Sequence, residues 1–238
     1  MEHNTDHISC QDGQTGCGRP EYPEIRKEIQ EYVYGRIVPE YARFDLAHRQ
    51  DHALAVIDNS MELYRTAPEE LRNDVNPEML FVAAACHDLG RINGKENHHI
   101  DSGRIIRADK ELGRWFNDAQ VESIARAAED HRASLDHEPR SIYGKMVAEA
   151  DRLIDADTII RRTLLYGMSR YPEMSSDRQI ERALEHLYSK YGPDGYLRLW
   201  IPWSSNAARL RELRTLLADH DAARAAVSAA LSEILEKV

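Results

Sequence analysis

Cysteine, phenylalanine and tryptophan are scarce in this chain, with three of each among 238 residues. Cys10, Cys17 and Cys86 form no disulfide framework, so a reducing, cytoplasmic setting is expected. Nor do they provide the paired thiolate spacings of a structural zinc site. His3, His7, Cys10 and Cys17 share a glycine-containing stretch over 1–19 that reads as a flexible leader. No run approaches the ~20 apolar residues that span a bilayer, and the first residues lack a signal peptide's basic and apolar regions, so no membrane partner is expected. Alternating strand patterns never extend beyond a few residues, which argues against the sheet classes. Basic residues are outnumbered 31 to 41, and the net charge of −10 argues against a surface built for long nucleic acid. A small phosphorylated ligand survives that argument, because a metal and two or three local arginines outweigh a global excess of acid.

Alanine, leucine, glutamate and arginine dominate what is present, and the class they indicate is all-α. One domain over 20–238 is expected, long enough to bury a sizeable core. A first helix over 22–38 would bury Ile25, Ile29, Tyr32, Val33 and Ile37 and break at Pro39. After a connector over 44–48, a second helix carries His52, Val56, Ile57, Ser60, Met61 and Tyr64 and ends at Pro68; His48 and His52 share a face if it starts early enough. Asn76-Pro77 starts a third helix. Later helices should begin near Asp101 or Ser102, run over 115–130 and 142–156, and close the chain near 177–190 and 204–237. The last has an alanine and leucine stripe that reads as core; its other use would be a partner helix in a homodimer.

The organising stretch is the third helix. Residues 79–86 are apolar without a break, so a helix made of them has no wet face and must sit inside the protein. It runs directly into His87 and Asp88, and a buried carboxylate needs a charge partner or several donors. Gly90, Asn93 and Gly94 follow as stop signals, placing the pair at the mouth of a cleft. Arg91 as an ion-pair partner is one solution and a metal is another. Other groups are stranded at expected helix ends or on inward faces: His52, His98 or His99, His131 and Asp151. Together they offer imidazole and carboxylate, the ligand set of Mn, Fe, Mg-like or catalytic Zn sites.

The order His52, His87-Asp88, Asp151 resembles the HD superfamily of metal-dependent phosphohydrolases, over about residues 40–160. The contexts resemble it too: His52-Ala-Leu-Ala-Val for the first-histidine helix, Ala85-Cys-His-Asp-Leu-Gly-Arg for the signature, and Val147-Ala-Glu-Ala-Asp-Arg-Leu for the last-aspartate helix. The resemblance implies a single-domain helical bundle with a metal site in a central cleft. In it, His52, His87, Asp88 and Asp151 hold one divalent metal (Mn, Mg, Fe, Ni or Co). His98 (or His99) and His131 match positions that, in some members, bind a second metal bridged by the signature aspartate. Here Arg132 stands where some of those members have another histidine.

The activity implied is hydrolysis of a nucleotide or related small phosphorylated compound by a metal-activated water, whose pKa falls from ~16 toward ~7. Asp88, His131, His98, Arg91 and Lys95 are the expected catalytic groups, and Arg91, Lys95, Arg132 and His48 the expected substrate contacts. Two other uses of such a site stay open at this stage. One is a di-iron oxygenase resembling myo-inositol oxygenase, and the other a metal-binding regulatory module without turnover.

Overall fold

The computed structural model describes residues 21–44, 48–135 and 137–236. The leader over 1–19, with His3, His7, Cys10 and Cys17, lies outside them, as does 45–47 of the connector. Among the described residues there are eleven α-helices and no strand.

The first helix is shorter and less regular than the pattern suggested. α1 (Lys27–Tyr32) gives way to a π turn over Val33–Ile37 and then a 3₁₀ turn over Val38–Arg43. Pro39 therefore breaks nothing. It sits near the start of the 3₁₀ turn, where a missing N–H is harmless. The rewinding delivers Tyr41 to the interior, fully buried. α2 (Gln50–Arg65) ends before Pro68, which instead precedes a short α3 (Glu69–Asp74).

α4 (Pro77–Cys86) is the centre of the first core. The Asn76 side chain accepts from the amides of Glu78 (2.9 Å) and Met79 (3.3 Å), closing its N-terminus. Every residue from Met79 to Cys86 is buried, and α2, α6 and α7 pack around it. Each large apolar side chain removed from water there contributes about 1.5–3 kcal/mol. The helix stops under Tyr41, whose hydroxyl donates to the Ala85 carbonyl (2.8 Å) and accepts from the Asp88 amide (3.2 Å).

A 3₁₀ turn over Leu89–Asn93 and Gly94, at φ +112°, lead to α5 (His98–Ala108). α5 starts earlier than expected, so His98 and His99 lie buried in its first turn rather than in a polar loop. Ser102 caps nothing; it is buried, and its hydroxyl accepts from the Gly90 amide at 2.9 Å. α6 (Asp118–Glu129) begins at a reciprocal Asn117–Gln120 capping box, leaving Trp115 outside it. α7 (Ile142–Asp151) ends at Asp151, short of the expected 156, because the chain leaves helical geometry at Arg152 (ψ 74°).

The remaining helices are α8 (Ala156–Arg170), for which the sequence pattern gave no expectation, α9 (Ser176–Tyr191), α10 (Asn206–Ala218) and α11 (His220–Leu235). Asp219 splits the expected terminal helix in two by turning extended and capping the amides of Asp221 and Ala222. The stripe of α11 (Ala223, Val227, Ala230, Leu231, Ile234) is buried in a second core built with α8, α9 and α10. Glu149 stitches this second part to α7: its carboxylate accepts from the Trp200 amide (2.8 Å) and its carbonyl from Asn206 Nδ2 (3.0 Å). Trp203 Nε1 also donates to the Leu63 carbonyl at 3.0 Å. No helix of the described residues is long and apolar enough to cross a membrane.

α5 approaches the end of α4 so closely that a Cβ on Gly90 would lie 2.0 Å from the His98 carbonyl oxygen and 2.5 Å from the Ser102 nitrogen. Both are backbone atoms and cannot swing aside. Gly90→Ala is therefore expected to destabilise the protein by about 2 kcal/mol or more. Urea unfolding checks this, and an unchanged midpoint would refute the close approach.

Candidate metal centre

Helix termini leave backbone carbonyls without intrahelical partners. Three histidines use carbonyls three residues back along the chain. His87, just past α4, donates from Nδ1 to the Ala84 carbonyl (2.8 Å), and His131, just past α6, to that of Ala128 (2.6 Å). His98, opening α5, donates to the Lys95 carbonyl (2.7 Å). A carbonyl only accepts, so each of these rings carries a proton on Nδ1 and, when neutral, a bare lone pair on Nε2.

Those lone pairs point inward. His87 Nε2 lies 3.2 Å from His52 Nε2, and His98 Nε2 lies 3.2 Å from His131 Nε2. Where both nitrogens carry lone pairs, as on neutral His98 and His131, that separation is repulsive unless a proton or a cation lies between them. A divalent ion with bonds of about 2.1 Å holds adjacent ligand atoms about 3 Å apart, so the spacing fits a metal.

Asp88 divides the cluster into two nests. Its Oδ2 lies 3.8 Å from His52 Nε2 and 3.7 Å from His87 Nε2. Asp151 Oδ1 completes that side at 3.2 Å from His52 and 3.8 Å from His87. Asp88 Oδ1 faces the other way, 3.3 Å from His98 Nε2 and 3.5 Å from His131 Nε2. This oxygen is buried and accepts no hydrogen bond. The triads His52–His87–Asp88 and Asp88–His98–His131 each have the mutual proximity of metal ligands. Asn59, donating from Nδ2 to the Ala150 carbonyl (3.2 Å), ties α2 to α7 and so sets His52 against Asp151.

Burial and charge act in opposite directions here. Desolvation lowers the pKa values of His87 and His98 to about 4, and in each case neighbouring histidine adds to the effect. Both rings are thus neutral and able to ligate at neutral pH. Desolvation alone would raise Asp88, but His87, His131 and Arg91 outweigh it and hold the carboxyl well below the usual carboxylate range. Asp151 is depressed against its own desolvation by His52, His87 and His131. His131 moves the other way: burial disfavours its charge, yet Asp88 wins and its pKa is raised.

The structure places the other expected groups at varying distance from this centre. It is His98 whose Nε2 enters a nest; His99 is buried beside it, with ring centroids 5.6 Å apart. Arg91 donates from Nε to Asp88 Oδ2 at 2.7 Å and so contacts a candidate ligand. Lys95 serves the cluster through its carbonyl, while its exposed ammonium lies 5.1 Å above the Tyr166 ring. Arg132 donates to the Glu96 carbonyl (2.8 Å) and so fastens the 94–97 segment. His48 stands before α2, edge-on to His52 at 5.6 Å between ring centroids. Sequence reasoning missed Tyr41, which holds the His87-Asp88 turn, and Asn59. Neither carries a local signal, because each acts through backbone atoms tens of residues away.

The lowered pKa values have a consequence for stability. Histidines with folded values near 4 against about 6.5 unfolded contribute stability that is complete above about 6.5 and is lost as pH falls toward about 4, because the unfolded chain takes up those protons first. The raised pKa of His131 works in the opposite sense but is one group against two. Metal-free protein should therefore lose unfolding free energy between pH 6.5 and 4, measured by urea titration at several pH values. Stability that rises over this window would contradict the assignment of neutral, buried rings.

A scan against protein-family models matches the HD domain over residues 49–155. Searches of curated proteins and of solved structures found no match. The matched segment contains His52, His87, Asp88, His98, His131 and Asp151, and His48 falls one residue outside it. Residues 49–155 are thus similar to the HD domain, a match that suggests activity of the metal-dependent hydrolase type, and the histidine and aspartate cluster within them suits a divalent metal.

Proposed function

We propose that this protein is a metal-dependent phosphohydrolase acting on a small phosphorylated compound, with nucleotides the first class to test. The observation that carries the reading is the convergence of four histidine Nε2 atoms on both oxygens of one buried carboxylate, Asp88. His52, His87, Asp88 and Asp151 would hold one cation. His98 and His131, sharing Asp88, would hold a second. The nitrogen-rich set favours Mn, Fe, Co or Ni over Mg, which prefers an all-oxygen shell. Bound there, such ions supply an acidified water as nucleophile at neutral pH and neutralise phosphoryl charge.

The chain's own groups do the rest. Hydrolysis forms a bond from water oxygen to phosphorus, breaks the bond to the leaving oxygen and returns a proton to that oxygen. Arg91, held 2.7 Å from Asp88, fixes a permanent positive charge at the edge of the cluster. His131, the one ring there with a raised pKa, is the group best suited to hold a proton near neutrality when it is not a ligand.

A nitrogen-rich pair of nests sharing one carboxylate also favours a second reading, a di-iron oxygenase. Elemental analysis of protein purified without added metal, combined with a nucleotide and phosphoester panel and an oxygen electrode, separates the two. Manganese, cobalt or nickel with phosphate or pyrophosphate release supports the hydrolase. Two irons with oxygen uptake and no hydrolysis sinks it, and metal without turnover of either kind points to a regulatory module. Asp88→Asn should lower kcat/KM about 1000-fold or more, since the carboxylate common to both nests loses its charge. His98→Ala should remove one metal equivalent and spare the other, read by the same elemental analysis.

A further inference from the structure

Two buried carboxylates stand at the end of α6 and take no part in the nests. Glu129 closes the helix and Asp130 follows it, 9% and 1% exposed. Acidic groups at a helix C-terminus oppose the macrodipole, and burial denies them water, so they need cationic partners. The fold brings two. Arg107 of α5 donates from Nη1 to Glu129 Oε1 (2.5 Å) and from Nε to Glu122 Oε2 (2.7 Å), earlier in α6. Arg140, just before α7, donates from Nη2 to Glu129 Oε2 (2.7 Å) and from Nε to Asp130 Oδ1 (2.9 Å). Its amide also donates to Asp130 Oδ2 at 2.7 Å.

This bridge adjoins the second nest. His131 follows Asp130 directly, and its ring donates to the Ala128 carbonyl (2.6 Å) within the same turn. On the other side, the Glu129 side chain lies against Gly103, in the helix that His98 opens. A Cβ at Gly103 would stand 2.3 Å from Glu129 Oε1 and 2.7 Å from its Cγ. The spacing of α5 and α6, and with it the 3.2 Å between His98 Nε2 and His131 Nε2, is therefore set by a glycine and by one carboxylate shared between two arginines. The first nest is held by other means, Tyr41 at the end of α4 and Asn59 between α2 and α7.

We propose that the Arg107–Glu129–Arg140 bridge positions His131 against His98 and thereby sets the affinity of the second nest for its cation. The inference rests on the reading of two cations sharing Asp88, and it is independent of the reaction they serve. Glu129 acts through His131 and is a positioning residue. A carboxylate is required, because each oxygen accepts from a different guanidinium; glutamine would turn an amide donor on one of them.

Isothermal titration of the metal-free full chain with Mn²⁺ tests the bridge, and His98→Ala identifies the step that belongs to the second nest. Glu129→Gln should weaken that step about ten- to a hundredfold and the other less than about threefold. Arg140→Gln, at a half-exposed side chain whose removal opens no core, should show the same selective loss. Arg140→Lys, which keeps a charge for Glu129, should lose less. Arg161→Gln, breaking the 2.5 Å pair with Glu233 between α8 and α11, is the control for lost stability alone: ranked by urea midpoint, it should leave both steps in place. Two equivalents with both steps weakened alike, or neither weakened, would overturn the proposal by itself. A single equivalent for the wild type would overturn the two-cation reading and the proposal with it. Selective loss in a protein that cleaves no phosphoester would keep the bridge and discard the phosphohydrolase reading.

Discussion

Imidazole nitrogens that should repel one another are held 3.2 Å apart around a buried carboxylate, and most of the fold can be understood as the apparatus that keeps them there. The apparatus is mainly backbone. Carbonyls at the ends of α4 and α6, and that of Lys95, take the Nδ1 protons and so turn the Nε2 lone pairs inward. Tyr41 ties off the end of α4, and Gly90 lets α5 approach near enough for His98 to reach Asp88 Oδ1. The apolar run over 79–86 of α4 anchors the set, because it cannot shift without exposing side chains that belong in the core. A cation converts the repulsion into bonding, so metal binding and local stability are expected to be coupled.

Asp151 lies where the two cores meet. It closes α7, which belongs to the first core, and is followed directly by Arg152 and by Ile154 of the second. The Glu149 contacts to Trp200 and Asn206 fasten the second core to the same helix end. The position of a candidate ligand is therefore linked to that of the C-terminal helices.

Much of the centre was legible in the sequence because it depends on local pattern. An apolar run ending in His87-Asp88 announces a buried carboxylate, and the other candidate groups sit at helix ends, where periodicity stops. Details set by contacts distant in sequence were not legible. The choice between His98 and His99 depends on where α5 begins, which in turn depends on Gly90 and Ser102 packing together. Arg91, Lys95 and Arg132 looked equivalent as nearby cations, yet one pairs with Asp88, one lies over Tyr166 and one holds the 94–97 segment. α8 escaped notice because residues over 156–170 mix polar and apolar groups without a clean stripe.

By itself, the sequence determined the all-α class, the buried helix at 79–86 and the inventory of imidazole and carboxylate groups, since each follows from composition or from periodicity within a few turns. The tertiary structure alone decided that Asp88 stands between two nests. That outcome depends on side chains from helices far apart in the chain meeting at one point, and the meeting is fixed by packing rather than by any local pattern.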